Sequence, residues 1–274
     1  MCSSSLKALA LSALLVIASP AQARELRVCA DPNNLPFSNE SEEGFENRIV
    51  AVIAEELGAE VRYTWWAQRR GFLRNTLKAE ICDLVPGLPA NLEGVRTTAP
   101  YYRSSYAFVT RPGGPEIKSL DDVILRHLTI GVHLIGDDGS NTPPAHALAR
   151  RGIIENVRGY MIYGDYDDPN PPMRILEALV NGDIDVAIVW GPFGGYLAQR
   201  GSTPLKVTPV LPKFDGPGLP MVFDISMAVR REDEALRQEV DAALARRRPE
   251  VDAILDAYGV LRLAGDMGHV ERSP

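Results

Sequence analysis

The feature that most constrains the fold is a short apolar strand that breaks into a polar, proline-containing loop near the start of the chain. The strand covers Leu26–Ala30, the loop covers Asp31–Ser38, and a helical pattern begins near Phe45. In an open α/β sheet, ligands bind outside the carboxyl ends of the strands, where the chain reverses direction. A strand-to-helix loop rich in Asp, Asn, Pro and Phe therefore predicts one wall of a binding cleft.

Strand and helix patterns alternate along most of the chain. Helical spacing over Phe45–Leu57 and over Gln68–Ala79 separates the first strand from strands at Val61–Trp65 and Cys82–Leu88. This succession is typical of a parallel sheet with right-handed crossovers. A second α/β unit follows, and C-terminal helices return to the first unit. We predict an α/β fold of two doubly wound lobes with two crossover strands: lobe 1 from residues 24–107 and 228–274, and lobe 2 from residues 108–227.

Residues 1–23 carry the pattern of a secretory signal peptide. Lys7 precedes the small apolar run Ala8–Ala18, and an A-x-A site ends at Ala23. The run is too short to cross a bilayer, and no later segment is apolar for long enough. We therefore expect an exported chain with no membrane anchor. The net charge of the full sequence, −7, opposes nucleic-acid binding, which requires a clustered basic face, and loss of Lys7 with the leader makes the chain more acidic.

The remaining cysteines and histidines give little support to catalysis or to a metal site. Removal of the leader leaves Cys29 and Cys82. An even pair in an oxidising compartment is a disulfide candidate, and two buried thiols are the alternative. The four histidines are scattered, and the sequence contains no nucleophile elbow, P-loop or dinucleotide fingerprint. We predict no catalytic residue, no metal and no cofactor.

Polar and aromatic side chains follow the ends of several predicted strands. If both sheets are doubly wound, these positions converge on one crevice, with the mixture of aromatics and a few polar groups found in small-molecule and peptide sites. The alternative for each tryptophan alone is an ordinary core position. The segment His133–Asn141 lies at such a strand end in lobe 2, as Gln68 and Pro89 do in lobe 1. The residues that we predict to line the cleft are Asp31, Asn33, Asn34, Phe37, Trp65, Trp66, Arg69, Arg70, Gly87, Leu88, Trp190, Gly191 and Pro192.

Several longer motifs resemble a known family. Pro100-Tyr101-Tyr102 before a crossover strand, and the run Leu179–Ala187, resemble the periplasmic solute-binding proteins of the type II, Venus-flytrap kind. The runs RVCADPNNLPFSN from Arg27, YTWWAQRRGFLRNTL from Tyr63 and AIVWGPFGGYLA from Ala187 are similar to a narrower group. That group is MxaJ and XoxJ, the binding-protein-like partners of periplasmic quinoprotein methanol dehydrogenases. The resemblance implies a bilobal fold, a periplasmic location and a possible dehydrogenase partner.

One departure from the amino-acid-binding relatives affects the expected ligand. Those relatives carry a T-x-T-x-x-R element before the PYY motif, and its arginine pairs with a ligand carboxylate. Here the corresponding run is Gly87–Gly94, with glycine in place of that arginine, and the next candidate, Arg96, is out of register. The departure argues against an α-amino-acid ligand. The cleft is left for another solute or for a peptide or protein segment.

Three functions from different classes follow from these patterns. The first is a non-enzymatic accessory that aids maturation or activation of a PQQ-dependent methanol dehydrogenase through the cleft. The second is a receptor that delivers a small non-amino-acid solute to an ABC importer. The third is an enzyme on this fold, which would need a carboxylate or histidine of perturbed pKa in the cleft. Fold alone does not determine function. The choice among the three therefore follows the narrower resemblance, which favours the first.

Overall fold

A computed structural model describes residues 24–135, 141–162 and 170–264 of the chain. The predicted signal peptide, residues 1–23, lies outside the described residues. Within them the alternation of strands and helices agrees with the α/β class expected from the sequence.

The first part of the chain ends with a long strand that crosses into the second part. Phe45 begins the first helix because the side-chain Oδ1 of Asn47 accepts a hydrogen bond from the Gly44 backbone N–H, one of the donors that a helix start leaves unpaired. The elements are β1 (Arg24–Ala30), β2 (Asn33–Asn34), β3 (Ser38–Asn39), α1 (Phe45–Glu56), β4 (Ala59–Trp65), α2 (Phe72–Asn75), β5 (Val85–Pro89), β6 (Arg96–Thr97) and β7 (Tyr102–Thr110).

The second part has its own strands and helices and then returns to the first. Prolines in the first turns of three helices are tolerated because the N–H groups they lack have no intrahelical partner there. The elements are β8 (Ile130–Leu134), α3 (Pro143–Arg150), β9 (Val157–Met161), α4 (Arg174–Asn181), β10 (Val186–Trp190), α5 (Gly191–Arg200), β11 (Lys206–Pro209), β12 (Val222–Val229), α6 (Glu234–Arg246) and α7 (Arg248–Ala257).

The long strand β7 passes from one lobe to the other. Its first residues pair with β12, and Tyr106–Thr110 pair with β10 and β11. Before the crossing, Tyr102 belongs to a core with Phe45 and Ile49 of α1 and with residues of the C-terminal helices. After the crossing, Phe108 packs into a separate core on one face of the second sheet. The boundaries expected at residues 107 and 227 stay a prediction, although the change of partners along β7 falls close to the first.

Strand β1 is fixed on both sides. It pairs in parallel with β4, and Val28 forms a single parallel bridge with Leu84. A disulfide joins Cys29 to Cys82 with their Cα atoms 5.7 Å apart, which settles the alternative of two free thiols for this structure. The bridge lies where β1 ends, directly below the loop that begins at Asp31.

Three sequence expectations differ from the structure. The strand expected at Cys82–Leu88 touches β1 only at its start, and Val85–Pro89 pairs antiparallel with β12. Pro86 has no N–H to donate to a ladder, which favours this early departure. The helix expected at Gln68–Ala79 is only the short α2 and a 3₁₀ turn, because Gly71 adopts a φ of 86° and Thr76 leaves helical geometry. The sequence reading also missed helix α5 and strand β11.

Candidate functional site

A cavity of about 270 Å³ lies between the two lobes, where the loops after the strands meet. Six aromatic side chains line it, together with aliphatic residues and a few polar groups. Such a mixture is usual in small-molecule sites, which begin at roughly 300 Å³. The lining residues are Asn34, Phe37, Glu46, Gln68, Gly87, Pro89, Tyr102, Tyr106, His133, Ile162, Pro172, Trp190, Phe193, Phe223 and Ile225.

Asp31 supports the loop after β1, which forms part of the cavity wall. Its Oδ1 accepts a hydrogen bond from the backbone N–H of Asn33 at 2.9 Å, and its Oδ2 accepts one from the N–H of Gln68 at 2.7 Å. Burial raises the pKa of this carboxyl, and the two hydrogen bonds oppose that rise. Asp31 therefore ties the loop after β1 to the loop after β4, and it does not line the cavity itself.

Two contacts join the lobes at the edge of the cavity. The side-chain Oδ1 of Asn33 accepts a hydrogen bond from the backbone N–H of Asn170 at 2.9 Å. Phe37 packs against the lobe 1 core, through Phe45 at 5.4 Å between ring centroids, and also against a lobe 2 core. The cavity is therefore bounded by both lobes in contact with each other.

Glu46 brings a carboxyl group into the cavity wall from the first turn of α1. The side chain is 4% exposed, and its carboxyl lies against the Cα of Gly87, where an added Cβ would be 2.1 Å from Oε1. Burial, together with the nearby charge of Asp31, raises the pKa of Glu46 to about 8. Glu46 is therefore mostly protonated at neutral pH.

The opposite wall presents His133 and Trp190 from lobe 2 and two aromatic rings from the crossover strands. His133 shares a hydrogen bond of 3.1 Å between its Nε2 and the Pro172 carbonyl oxygen, and its ring meets Phe193 edge-on at 5.1 Å. Burial lowers the pKa of His133 to about 4, so the ring is neutral at neutral pH and Nε2 donates to the carbonyl. Trp190 meets Tyr106 at 5.3 Å and Phe223 at 5.8 Å, both edge-on.

The cavity wall carries no cationic side chain among the described residues. Neither an arginine nor a lysine contributes to its lining. Arg96, which the sequence left as the remaining candidate for a carboxylate partner, lies on β6, donates to the Arg231 carbonyl oxygen and pairs with Glu234. The described wall therefore has no guanidinium to form the bidentate pair that fixes a ligand carboxylate.

The predicted cleft residues fall into three groups in the structure. Those that line the cavity are Asn34, Phe37, Gly87 and Trp190. Asp31 and Asn33 hold the loop and the lobe contact. Those placed elsewhere are Trp65, which stacks on Tyr63, the exposed Trp66, Arg69 and Arg70, the core residue Leu88, and Gly191 and Pro192 in the first turn of α5. A binding role for any of these residues stays a prediction.

Sequence reasoning missed Glu46, and a usable signal was present. Glu46 shares one helical face with Ile49, Val50 and Ile53, which are all buried. A glutamate on the apolar face of a helix is rare, because burying its charge is costly. Tyr102, Tyr106 and Phe223 were also missed, since they come from crossover strands and not from strand-end loops. Residues 136–140, part of the expected wall at His133–Asn141, lie outside the described residues.

Two further features of the described residues bear on the type of site. No group of three or more histidine, cysteine, aspartate or glutamate side chains is arranged there to hold a metal ion. In the same part of the chain, no helix combines the length and apolar character needed to cross a membrane.

The chain matches one protein family and two named relatives along most of its length. The model of the bacterial extracellular solute-binding proteins, family 3, matches residues 26–260. Protein MoxJ of Methylorubrum extorquens strain AM1 is 33% identical, over 92% of this chain and 91% of that protein. Protein MoxJ of Paracoccus denitrificans is 29% identical, over 91% of this chain and 94% of that protein.

Solved structures give the same result for the fold. The crystal structure of periplasmic binding protein XoxJ from Methylobacterium extorquens AM1 has a TM-score of 0.71 at 34% identity, covering 88% of this chain and 100% of that one. The crystal structure of MxaJ from Methlophaga aminisulfidivorans MPT has a TM-score of 0.75 at 27% identity, covering 87% and 100%. An ancestral cationic amino acid solute-binding protein, 18% identical with a TM-score of 0.66 over 86% and 95%, shares the fold.

Proposed function

The chain belongs to the bacterial extracellular solute-binding proteins of family 3, and from that premise we propose that it is a periplasmic, non-enzymatic accessory of a PQQ-dependent methanol dehydrogenase. In this proposal the interlobe cavity binds a peptide or protein segment, or a ligand, while the dehydrogenase matures or is activated. The full-length similarity to MoxJ and XoxJ carries the proposal.

The cavity supports a ligand other than an amino acid. A zwitterionic ligand needs a cation for its carboxylate and an anion for its ammonium group. The described wall supplies no cation, and the Glu46 carboxyl is mostly protonated at neutral pH. The aromatic wall is suited instead to an uncharged group, which is consistent with a role other than amino-acid uptake.

The cavity also bears on catalysis, because Glu46 and His133 both have perturbed pKa values. Perturbed values are common at active sites, and structural burial produces them too. Within the described residues, no hydrogen bond contributes to the pKa of the Glu46 carboxyl, and His133 bonds to a backbone carbonyl. Asp31 acts on Glu46 through its charge alone, and neither Glu46 nor His133 forms a hydrogen bond there with a nucleophile or with a second titratable side chain, as acid–base catalysis commonly arranges. We therefore propose a binding role for both.

Deletion of the coding gene tests the accessory function. We expect the deletion strain to lose dye-linked methanol dehydrogenase activity in its periplasm while its growth on succinate is unchanged. The wild-type gene supplied in trans should restore the activity. Unchanged methanol oxidation in the deletion strain would reject the accessory function.

The second candidate is a receptor for an ABC importer that carries a small non-amino-acid solute. The observation that favours it is the small size of the cavity, about 270 Å³, with both lobes in contact. A transported solute would raise the melting temperature through mass action. Saturable stabilisation by one solute, with intact methanol oxidation in the deletion strain, would favour the importer over the accessory.

A further inference from the structure

One polar group in the cavity wall, the Glu46 carboxyl, has no hydrogen-bond partner among the described residues. The Glu46 side chain is more than nine-tenths buried and lines the cavity, and its pKa is shifted by burial and by the charge of Asp31, with no hydrogen bond from a described residue contributing. Leaving a buried polar group unpaired is costly, because the group gives up its hydrogen bonds with water. A ligand group that pairs with the Glu46 carboxyl would recover that cost, which makes this position a recognition point for a polar substituent.

Burial, followed by the charge of Asp31, raises the pKa of Glu46 to about 8, and none of the described groups that face Glu46 opposes this rise with a positive charge. Asp31 approaches from the loop after β1, Tyr63 from β4, and Tyr101 and Tyr102 from the start of β7. None of these groups is a cation. The charge of Arg69 acts on the Asp31 carboxyl, whose pKa it lowers. His133, on the opposite lobe, is neutral as well. An anionic ligand therefore finds no counter-charge in the described wall, and a cationic ligand finds no ionised carboxylate at neutral pH.

Around this polar point the wall is suited to a flat ring. Phe37 enters from lobe 1, and Trp190 with Tyr106 and Phe223 forms a continuous run of edge-on contacts. Aromatic rings prefer offset-stacked and edge-to-face neighbours, and such pairs stabilise beyond the burial of their area. The cavity volume of about 270 Å³ limits the occupant to a small group.

We propose that the cavity binds one neutral aromatic ring that carries a hydrogen-bonding substituent, with the substituent on the Glu46 carboxyl and the ring between Phe37 and Trp190. This inference rests on the proposed function, since it names the chemical class that the accessory would bind. The ring belongs either to a free small molecule or to a side chain of a polypeptide segment, and the chemistry of recognition is the same for both.

A matched set of three phenols and toluene tests the charge and the hydrogen bond separately. p-Cresol is neutral, 4-hydroxybenzoate is an anion, tyramine is a cation, and toluene lacks the hydroxyl group. By titration calorimetry of the mature chain at neutral pH, we expect p-cresol to bind at least about tenfold more tightly than either ion and about fivefold more tightly than toluene. Equal or tighter binding of an ion, or no saturable p-cresol binding at millimolar concentration, would overturn the proposal.

Two variants at Glu46 assign the substituent to its partner. Glu46→Gln keeps a neutral hydrogen-bonding group, so p-cresol should bind within about threefold of wild type. Glu46→Leu removes that group, so the preference for p-cresol over toluene should disappear. Trp66→Ala, at an exposed position outside the cavity, is the control and should bind all four probes as wild type does. A preference for p-cresol that persists in Glu46→Leu would contradict the assignment.

The source of the ring is tested with N-acetyl-tyrosinamide, a neutral model of a tyrosine side chain in a polypeptide. Binding of this compound at least as tight as p-cresol identifies a polypeptide source, and binding of p-cresol alone identifies a free solute. The outcome is separable from the proposed function. Selective p-cresol binding with unchanged methanol oxidation in the deletion strain rejects the accessory and keeps the ligand class, and the reverse result rejects the ligand class alone.

Discussion

The loop after β1 and the loop after β4 start from the same edge of one small sheet, yet they have different surroundings. The first loop, residues 31–38, places Asn34 and Phe37 in the cavity and contacts lobe 2 through Asn33. The second loop, residues 66–71, contributes Gln68 to the cavity and leaves Trp66 exposed to solvent. Position at the end of a parallel strand therefore does not by itself make a residue part of the site.

What separates the two loops is the packing behind them. The first loop lies against the start of α1, where the Phe37 carbonyl oxygen accepts the N–H of Glu46 and an added Cβ on Gly44 would be 2.0 Å from that oxygen. Behind the second loop, Trp65 stacks on Tyr63 of the same strand, with 4.5 Å between ring centroids. The first loop, which packs against the start of α1, is the one that contacts lobe 2.

Removal of the disulfide should have the largest effect and should weaken both loops together. Cys29 and Cys82 are 53 residues apart in sequence, and a cross-link of that span stabilises by about 4 kcal/mol in the chain-entropy account. We expect the Cys29→Ser/Cys82→Ser double variant to lose roughly that free energy of unfolding in urea titrations. A loss below about 1 kcal/mol would contradict a structural role for the bridge under both loops.

Gly44→Ala should disturb the first loop without reaching the second. The new methyl group would collide with the Phe37 backbone, and overpacking of this kind costs typically 1–3 kcal/mol. We expect a loss of about 3 kcal/mol and faster amide hydrogen exchange at residues 33–39. Exchange that rises equally over residues 66–71 would show that the two loops are not independent.

Glu46→Gln should remove a pH dependence of stability that originates behind the first loop. The pKa of Glu46 is about 8 in the folded chain and about 4.5 when unfolded, so the folded state retains a proton that the unfolded state releases. Stability from this group is complete at low pH and is lost as the pH rises toward 8. Between pH 6.5 and pH 8 wild type should lose roughly 2 kcal/mol more than the variant.

His133 contributes in the opposite direction and in a different pH range. Its pKa of about 4 lies below the usual 6.5, so its contribution is lost only as the pH falls through that interval. Thermal melts of wild type and Glu46→Gln at several pH values above 6.5 therefore isolate Glu46. Parallel curves in that range would show that the Glu46 carboxyl is already ionised in the folded chain.

Asp31→Asn should loosen the tie between the loops. The carboxylate accepts one N–H from each loop, and an amide keeps one acceptor and presents a donor to the other N–H. We expect a loss of about 1–2 kcal/mol, with faster exchange at the amides of both Asn33 and Gln68. Protection that falls at Asn33 alone would show that Asp31 supports only the first loop.

Trp66→Ala should have the smallest effect, because this side chain is 41% exposed and outside the cavity wall. Substitutions at such surface positions usually change stability by less than about 0.5 kcal/mol. Differential scanning calorimetry of the mature chain measures this directly. A loss above about 2 kcal/mol would mean that the second loop is packed more tightly than the structure shows.

The fold and about half of the cavity wall contributed by lobe 1 could be predicted from the sequence. The alternation of strands and helices predicted the α/β class, because local periodicity records it. The PYY motif and the run after Leu179 added two lobes through their resemblance to a known family. Trp65 and Trp66 could not be separated in this way from Trp190, since aromatic residues at strand ends also pack on their own strand. Which side chains of β7 and β12 face the cavity depends on how the lobes meet, and no local pattern records that.

The central claim is that this chain supports a methanol dehydrogenase through its interlobe cavity. The most direct test is dye-linked methanol dehydrogenase activity in the periplasm of the deletion strain, complemented with wild type, Trp66→Ala or Asn34→Trp, which places a large ring in the cavity wall. Circular dichroism melts confirm that each variant is folded. We predict full activity with wild type and with Trp66→Ala. With folded Asn34→Trp we predict a loss of at least about tenfold, which corresponds to about 1.4 kcal/mol. Full activity with folded Asn34→Trp would contradict the claim that the cavity performs the function.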